Sequence, residues 1–229
     1  VSVGYFQRIY SEVNVDLCRN KGISIVRRIT GGRAVLHDRE LTYSLVARED
    51  TKSLPPNLMG SYRLISQGLI AGLKEVGVEA EMTIPTANRD NLGKMPRNGA
   101  CFDAPSFYEI TVDGKKLIGS AQVRREATLL QHGSLLIGFS PHDLVSLLMF
   151  KDEEDAKRCE KTLIDKATSV EDIKGYVPEK KILMAALANG LTEVLGIELD
   201  DSGLTAHEKK RAQELAKQKF GNDEWNCRR

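Results

Sequence analysis

Three stretches carry residue types that could do chemistry. In Arg27-Arg28-Ile29-Thr30-Gly31-Gly32-Arg33, two adjacent glycines let backbone approach a ligand closely. Exposed N–H groups and guanidinium ions beside them suit a carboxylate, a phosphate or a thioester carbonyl. The plainer alternative is a tight turn flanked by solvated arginines. It is not a nucleotide-binding P-loop, because G-x-x-x-x-G-K-[ST] is absent. The second stretch, Gly99-Ala100-Cys101-Phe102-Asp103-Ala104-Pro105-Ser106, holds a cysteine whose thiolate would be a strong nucleophile toward thioesters if its pKa were lowered. A lone cysteine is more often a small buried hydrophobe, but Cys101 sits in a loop rather than an apolar element. Cys18, Cys159 and Cys227 fall in helical or terminal contexts and read as structural. The third stretch is Gly114-Lys115-Lys116-Leu117-Ile118-Gly119-Ser120-Ala121-Gln122. Small residues at 119–121 of a strand allow something to pack against its backbone. Strict alternation would put Lys116, Ile118 and Ser120 on one face. A lysine turned inward there is costly unless it meets an anion or loses its proton, whereas Lys115 reads as an ordinary exposed lysine. Of the histidines, His37 next to Asp38 and His132 between Gln131 and Gly133 could line a site. None of the four pairs at i, i+4, and no carboxylate cluster stands beside them at metal-ligand spacing, so no metal is predicted.

These residues need elements to hold them. Gly22–Arg28 alternates like a strand and runs into the turn at Thr30–Arg33; Ala34–His37 and Leu41–Val46 read as two further short strands. Asn57–Val76 has helical spacing through Leu58, Tyr62, Ile65, Leu69 and Leu73, with Pro55-Pro56 just before it. Residues 85–106 lack periodicity and read as a long, functional loop. Asp113-Gly114 between Phe107–Val112 and Lys116–Arg124 is a strong hairpin signal, and Thr128–Ile137 would add a third strand. Asp152–Ala167, Glu179–Leu195 and Thr205–Phe220 read as helices. The division is thus a mixed α/β part over residues 1–150 and a helical portion over 151–229, which holds 32 of the charged side chains in about half the length.

The whole-chain balance narrows the function classes. At 229 residues the length allows one domain or one domain with a small appendage. Lys and Arg number 33 against 32 Asp and Glu, net +1, which argues against a dedicated nucleic-acid binder. There is no run of 18 apolar residues to span a membrane. Four dispersed cysteines are neither a disulfide framework nor a C-x-x-C motif, and suggest reduced thiols in a cytosol. The chain opens on Val1 inside an apolar alternating run, an unusual place for a domain to start.

Arg27-Arg28-Ile29-Thr30-Gly31-Gly32-Arg33-Ala34-Val35-Leu36-His37-Asp38 resembles the R-R-x-[ST]-G-G-x-A-V-x-H-D signature of lipoate-protein ligases and octanoyltransferases, in the biotin/lipoate cofactor-transferase superfamily. Lys116-Leu117-Ile118-Gly119-Ser120-Ala121 resembles the K-x-x-G-S-A motif of the same group, and the likeness runs from residue 1 to about 140. The segment from Cys101 to Glu109 is similar to that of the cysteine-dependent, LipM-type octanoyltransferases of Gram-positive bacteria. The resemblance implies an α+β fold, a mixed β-sheet with flanking helices, completed by a helical C-terminal tail and preceded by an N-terminal helix and strand that this chain lacks. It implies that Cys101 carries the acyl group as a thioester and that Lys116 lowers the thiol pKa. Substrate-binding roles fall on Arg27, Arg28, Thr30, Gly31, Gly32, Arg33, His37, Gly119, Ser120 and Ala121.

The implied reaction moves octanoate from octanoyl-acyl carrier protein to a lysine of a lipoyl-accepting protein, such as glycine cleavage H protein or a 2-oxoacid dehydrogenase E2, as the first step of endogenous protein lipoylation in the cytoplasm. It needs no metal and no ATP, since the acyl group arrives on the carrier's phosphopantetheine. An apolar slot for the chain would contribute about 5 kcal/mol at ~0.8 kcal/mol per CH₂. A basic rim of Arg27, Arg28, Arg33, Arg124 and Arg125 could steer acidic partners. The main alternative is an ATP-dependent lipoate-protein ligase; that branch usually carries Gly-Gly-Gly where this chain has Gly31-Gly32-Arg33. More distant alternatives are a biotin ligase, a relay enzyme moving octanoate between two acceptor proteins, and a non-catalytic protein that docks lipoyl domains.

Overall fold

The computed structural model describes residues 1–83 and 109–228. The chain begins with β1 (Ser2–Val3), α1 (Ile9–Glu12), α2 (Val15–Asn20) and β2 (Val26–Arg27), then β3 (Glu40–Arg48), α3 (Leu58–Glu75) and β4 (Glu81–Thr83). It continues with β5 (Glu109–Val112), β6 (Lys115–Arg125), β7 (Thr128–Leu136), α4 (Pro141–Ser146), α5 (Glu153–Lys166), α6 (Val170–Lys174), α7 (Lys180–Leu195), α8 (Ala206–Leu215) and α9 (Asp223–Asn226). Among the described residues no helix is long and apolar enough to cross a membrane.

Five strands form one sheet in the order β3-β7-β6-β5-β4, antiparallel at every step. The only parallel pair among the named strands is the separate β1–β2 ribbon, where Ser2 lies opposite Val26 and Val3 opposite Arg27. The fold is α+β, as expected, with helices on one sheet face and at the ends.

Alternation along β3, β6 and β7 gives the large sheet two unlike faces. Leu41, Tyr43, Leu45, Ile118, Leu129 and Leu135 face α3. That helix starts where Asn57 accepts a hydrogen bond from Gly60 N at 2.6 Å, just after the two prolines. It lays Tyr62, Ile65, Leu69 and Leu73 on the sheet. Its other buried stripe is small. A Cβ on Gly72 would stand 2.4 Å from Ala186 O, and one on Gly190 would stand 2.2 Å from Gly72 N, so α3 and α7 touch backbone to backbone. The opposite sheet face is polar: Glu40, Thr42 and Ser44 alternate along β3, level with Ser134 and His132 on β7 and with Gly119 and Ala121 on β6. The turn and the β1–β2 ribbon cover this face. Behind them lies a second core of Val3, Ile9, Val13, Cys18, Ala34, Leu144, Leu147, Cys159 and Leu163.

Two hairpins bracket β6. Asp113 (φ 50°) and Gly114 (φ 74°) make the expected two-residue turn, and Glu126 (φ 53°) and Ala127 (φ 56°) make a second one without a glycine. Ile110 pairs with Ile118 but Thr111 pairs with Lys116, so Leu117 is an extra residue, a β-bulge. The bulge overturns the expectation that Lys116 shares a face with Ile118 and Ser120. Ile110 and Thr111 are adjacent and point opposite ways, so their partners do too. Lys116 therefore stands on the polar face, while Ile118 enters the α3 core.

Other differences are of extent. Of the strand expected over Gly22–Arg28 only Val26–Arg27 pairs, because β1 offers only two partner residues. Ala34–His37 is reduced to bridges at Ala34 and Val35, the latter to Ser2. The expected helix Thr205–Phe220 is α8, opened by a Thr205–Glu208 capping box, followed by one π-helical stretch, Ala216–Phe220. Helices α1, α2, α4, α6 and α9 are too short for hydrophobic periodicity to announce them.

Candidate active site

The turn after β2 is held by one side chain. Arg28 Nη1 donates to Ser2 O (2.8 Å) and Ser2 Oγ (2.7 Å), and Nη2 donates to Arg33 O (2.8 Å) and Gly31 O (3.3 Å). The fixed fork of a guanidinium can span both strand and turn in this way, which an ammonium cannot. Gly32 has φ 99°, where a side chain is strained, and a Cβ on Gly4 would lie 1.9 Å from Gly32 O. Glycine is thus required on both sides of the contact.

Between this turn and the polar sheet face runs a narrow cleft with about 60 Å³ of open volume. Ser2, Arg28, Gly31, Gly32, Val35 and His37 form one wall, and Thr42, Gly119, Ser120, Ala121, His132, Gly133 and Ser134 form the other. The expected glycine turn and the expected small-residue strand therefore face each other.

Two histidines sit in the cleft with unlike surroundings. His37 Nδ1 lies 2.6 Å from Glu40 Oε1 and its Nε2 lies 2.6 Å from Ser2 Oγ. Glu40 is buried and also accepts from Thr42 Oγ1 and Ser134 Oγ. Burial pushes its pKa up, but hydrogen bonds from His37, Ser134 and Thr42 outweigh that and hold the carboxyl below its ordinary range. His132 Nε2 lies 2.6 Å from Thr30 Oγ1. Desolvation, helped by the nearby charges of Arg28 and His37, lowers its pKa to about 4. At neutral pH His132 is an uncharged imidazole, able to donate from one nitrogen and accept at the other.

Behind the cleft a polar ladder fixes β6 against β7. Tyr43 Oη and Ser120 Oγ are 2.7 Å apart, Gln131 Nε2 donates to Tyr43 Oη, and Gln122 Nε2 donates to Gln131 Oε1. Tyr62 Oη donates to Ser120 O from α3. The hydroxyl of Ser120 is thus committed to Tyr43 on the helix side of the sheet. Burial raises the pKa of Tyr43 against its hydrogen bonds to Ser120 and Gln131.

Lys116 is 4% exposed, and its Nζ lies 2.6 Å from Glu109 Oε1. Its carbonyl accepts from Thr168 N at 3.0 Å. The anion that an inward lysine requires is therefore present on the neighbouring strand. Cys101, the expected nucleophile, lies outside the described residues.

Residues 1–194 match the family model of the lipoyl protein ligase A/B catalytic domain. The chain is 42% identical over 229 residues to octanoyltransferase LipM of Kyrpidia tusciae, and 41% identical over 231 residues to octanoyltransferase LipM of Bacillus cereus. Each match covers 100% of this chain and 83% of the relative. The chain belongs to the LipM octanoyltransferase family. It is an acyltransferase by that membership. Its fold is similar to that of the bi-partite lipoate protein ligase of Thermoplasma acidophilum, with a TM-score of 0.78 and 25% identity over 99% of this chain and 79% of that one.

Within this LipM-family chain the basic rim needs correction. Arg27 is fully buried and does not line the cleft: Nη1 donates to the carbonyls of Gly4, Tyr5 and Gln7, and Nε donates to Asn226 O. Arg124 donates to the carbonyls of Pro55, Pro56 and Asn57, tying β6 to the start of α3. Arg33 faces a neighbouring surface pocket with Phe6, Gln7 and Glu12, and Arg125 pairs with Glu126 at the exposed hairpin end. Four of the five arginines expected at the rim thus brace the scaffold or lie beside the cleft, and only Arg28 lines it. Sequence reasoning missed Ser2, Thr42 and Ser134, whose types carry no signal of their own. It also missed Glu40, whose H-x-x-E spacing from His37 was the available signal, and the role of Glu109 opposite Lys116.

Proposed function

We propose that this chain takes an octanoyl group from octanoyl-acyl carrier protein onto Cys101 as a thioester and passes it to a lysine of a lipoyl-accepting protein, such as glycine cleavage H protein or a 2-oxoacid dehydrogenase E2, in the cytoplasm and without metal or ATP. The observation that carries this reading is identity of about 40% to octanoyltransferases LipM along the whole chain. The facing of the glycine turn by the Gly119–Ala121 strand supports it, since such a cleft suits an extended acyl thioester.

In the first step the Cys101 thiolate attacks the thioester carbonyl. The new C–S bond forms, the bond to the phosphopantetheine sulfur breaks, and that sulfur leaves as a thiolate and takes up a proton. Lys116 favours the attacking thiolate by its opposite charge. One thioester replaces another, so the step is close to balanced. In the second step the neutral amine of the acceptor lysine attacks the acyl-enzyme. The C–N bond forms, the C–S bond to Cys101 breaks, and a proton passes from nitrogen to sulfur. The amide is far more stable than a thioester and drives the cycle. Neutral His132 and the Arg28-braced turn line the path with hydrogen-bonding groups, and the kinetics are ping-pong.

The test is intact mass after exposure to octanoyl-carrier protein, with and without ATP. One octanoyl adduct is expected without nucleotide, absent in Cys101→Ala, whose transfer rate should fall by roughly 10³-fold or more. An adduct on another cysteine, or full activity in the variant, sinks the assignment. A strict need for ATP and free octanoate or lipoate favours the ligase reading.

A further inference from the structure

The pair at Lys116 has features that fold stability does not call for. Its ammonium and the Glu109 carboxylate meet at 2.6 Å, with the two side chains 5% and 16% exposed. Filling the same space with two apolar side chains is often neutral or stabilising, because two charges must be taken out of water to make such a pair. The backbone is also arranged for it. A regular ladder would pair Lys116 with Val112 and send it into the α3 core beside Ile118; the bulge pairs it with Thr111 instead, so that Lys116 and Glu109 point to the polar sheet face together. Lys115, next along the strand, reaches Ile164 O from an exposed position and has no part in this.

A lysine is a poor holder of position. Its ammonium sits on four methylenes, with three rotatable donors. A carboxylate at hydrogen-bond distance restrains the ammonium and so helps to fix its orientation. The strand geometry brings in Glu109 as that anchor: it is the first residue of β5, and the Lys116 main chain is held from the other side by Thr168.

We propose that Glu109 is a positioning residue that anchors the Lys116 ammonium on the polar sheet face, so that Lys116 is held in one fixed orientation. The catalytic consequence rests on the acyl-transfer reading above; the anchoring itself rests on the ion pair and the bulge. Glu109 touches neither acyl group nor acceptor in this assignment and acts through Lys116.

Two measurements on the full chain test it separately. In single-turnover acylation by octanoyl-carrier protein, Glu109→Gln should slow adduct formation by about tenfold or more, with KM for the carrier protein unchanged and with Glu109→Asp recovering part of the rate. In a Lys116→Met background, adding Glu109→Gln should change nothing further. A wild-type rate in Glu109→Gln, or an equal further drop in the Lys116→Met background, overturns the proposal. If Glu109→Gln fails to fold, Glu109→Asp carries the reading: a slower rate at constant KM supports it and a wild-type rate refutes it. The second measurement is labelling of Lys116 by an amine-acylating reagent, mapped by peptide mass. Faster labelling in Glu109→Gln or Glu109→Asp than in the parent chain supports the anchor, and equal labelling rejects it. If the parent chain labels as expected but takes no octanoyl group, the transfer reading fails while the anchor stands.

Discussion

A neutral, half-buried histidine in the cleft makes stability depend on acid. The pKa of His132 is about 4 in the folded chain against an ordinary 6.5. Above pH 6.5 neither state binds the proton and the full stability is present. As pH falls from 6.5 toward 4 the unfolded chain takes up the proton first, and about 3 kcal/mol is lost over that window. Glu40 acts in the same direction, since its lowered pKa means stability lost as pH falls through the folded value. Urea titrations at pH 7 and pH 4.5 should show this loss in the parent chain, and a smaller one in His132→Gln. Equal slopes in both proteins would mean that His132 is hydrated in solution. The same site shows what was legible at this scale. Gly31, Gly32, Gly119 and Ala121 announced themselves as a glycine turn and a run of small residues in a strand, and both line the cleft. Arg27 misled because an arginine beside a glycine turn looks alike in sequence whether it meets a ligand or main-chain carbonyls.

At the scale of elements, α3 and α7 are joined by absent side chains. A methyl group added at Gly190 would fall 2.2 Å from Gly72 N and 2.3 Å from Gly68 O, with no flexible atom to give way. Gly190→Ala should therefore force the helices apart and cost about 3 kcal/mol, read as a lowered thermal midpoint. An unchanged midpoint would show that the crossing is looser than drawn. Since α3 backs the strand that carries Gly119–Ala121, activity should fall with stability. The helix itself was plain in the sequence from its apolar spacing and the prolines before it. The bulge at Leu117 was not, because a bulge leaves the run of β-prone residues intact and changes only the phase. That single offset decides which face Lys116 serves. The Glu126-Ala127 turn was hidden for a related reason: its positive φ angles lack the glycine that would have marked them.

Over the whole molecule, the cleft depends on residues far from it in the chain. Arg27 N donates to Asn226 Oδ1 at 2.8 Å, Trp225 Nε1 donates to Arg27 O at 2.9 Å, and Arg228 lies over the Tyr5 and Trp225 rings. Asn226→Ala strands a buried N–H and should cost about 2 kcal/mol, a midpoint shift of about 5 °C for a chain of this size; a shift of under a degree would deny the contact its structural role. No sequence pattern pointed to this tie, because periodicity reports on neighbours along an element and is blind to a contact 199 positions apart. During synthesis, then, the guanidinium under the glycine turn must wait for its distant asparagine until 199 further residues have been added. A nascent chain can lay down sheet and helix early, yet the support beneath the turn is finished only once that distant asparagine has been made.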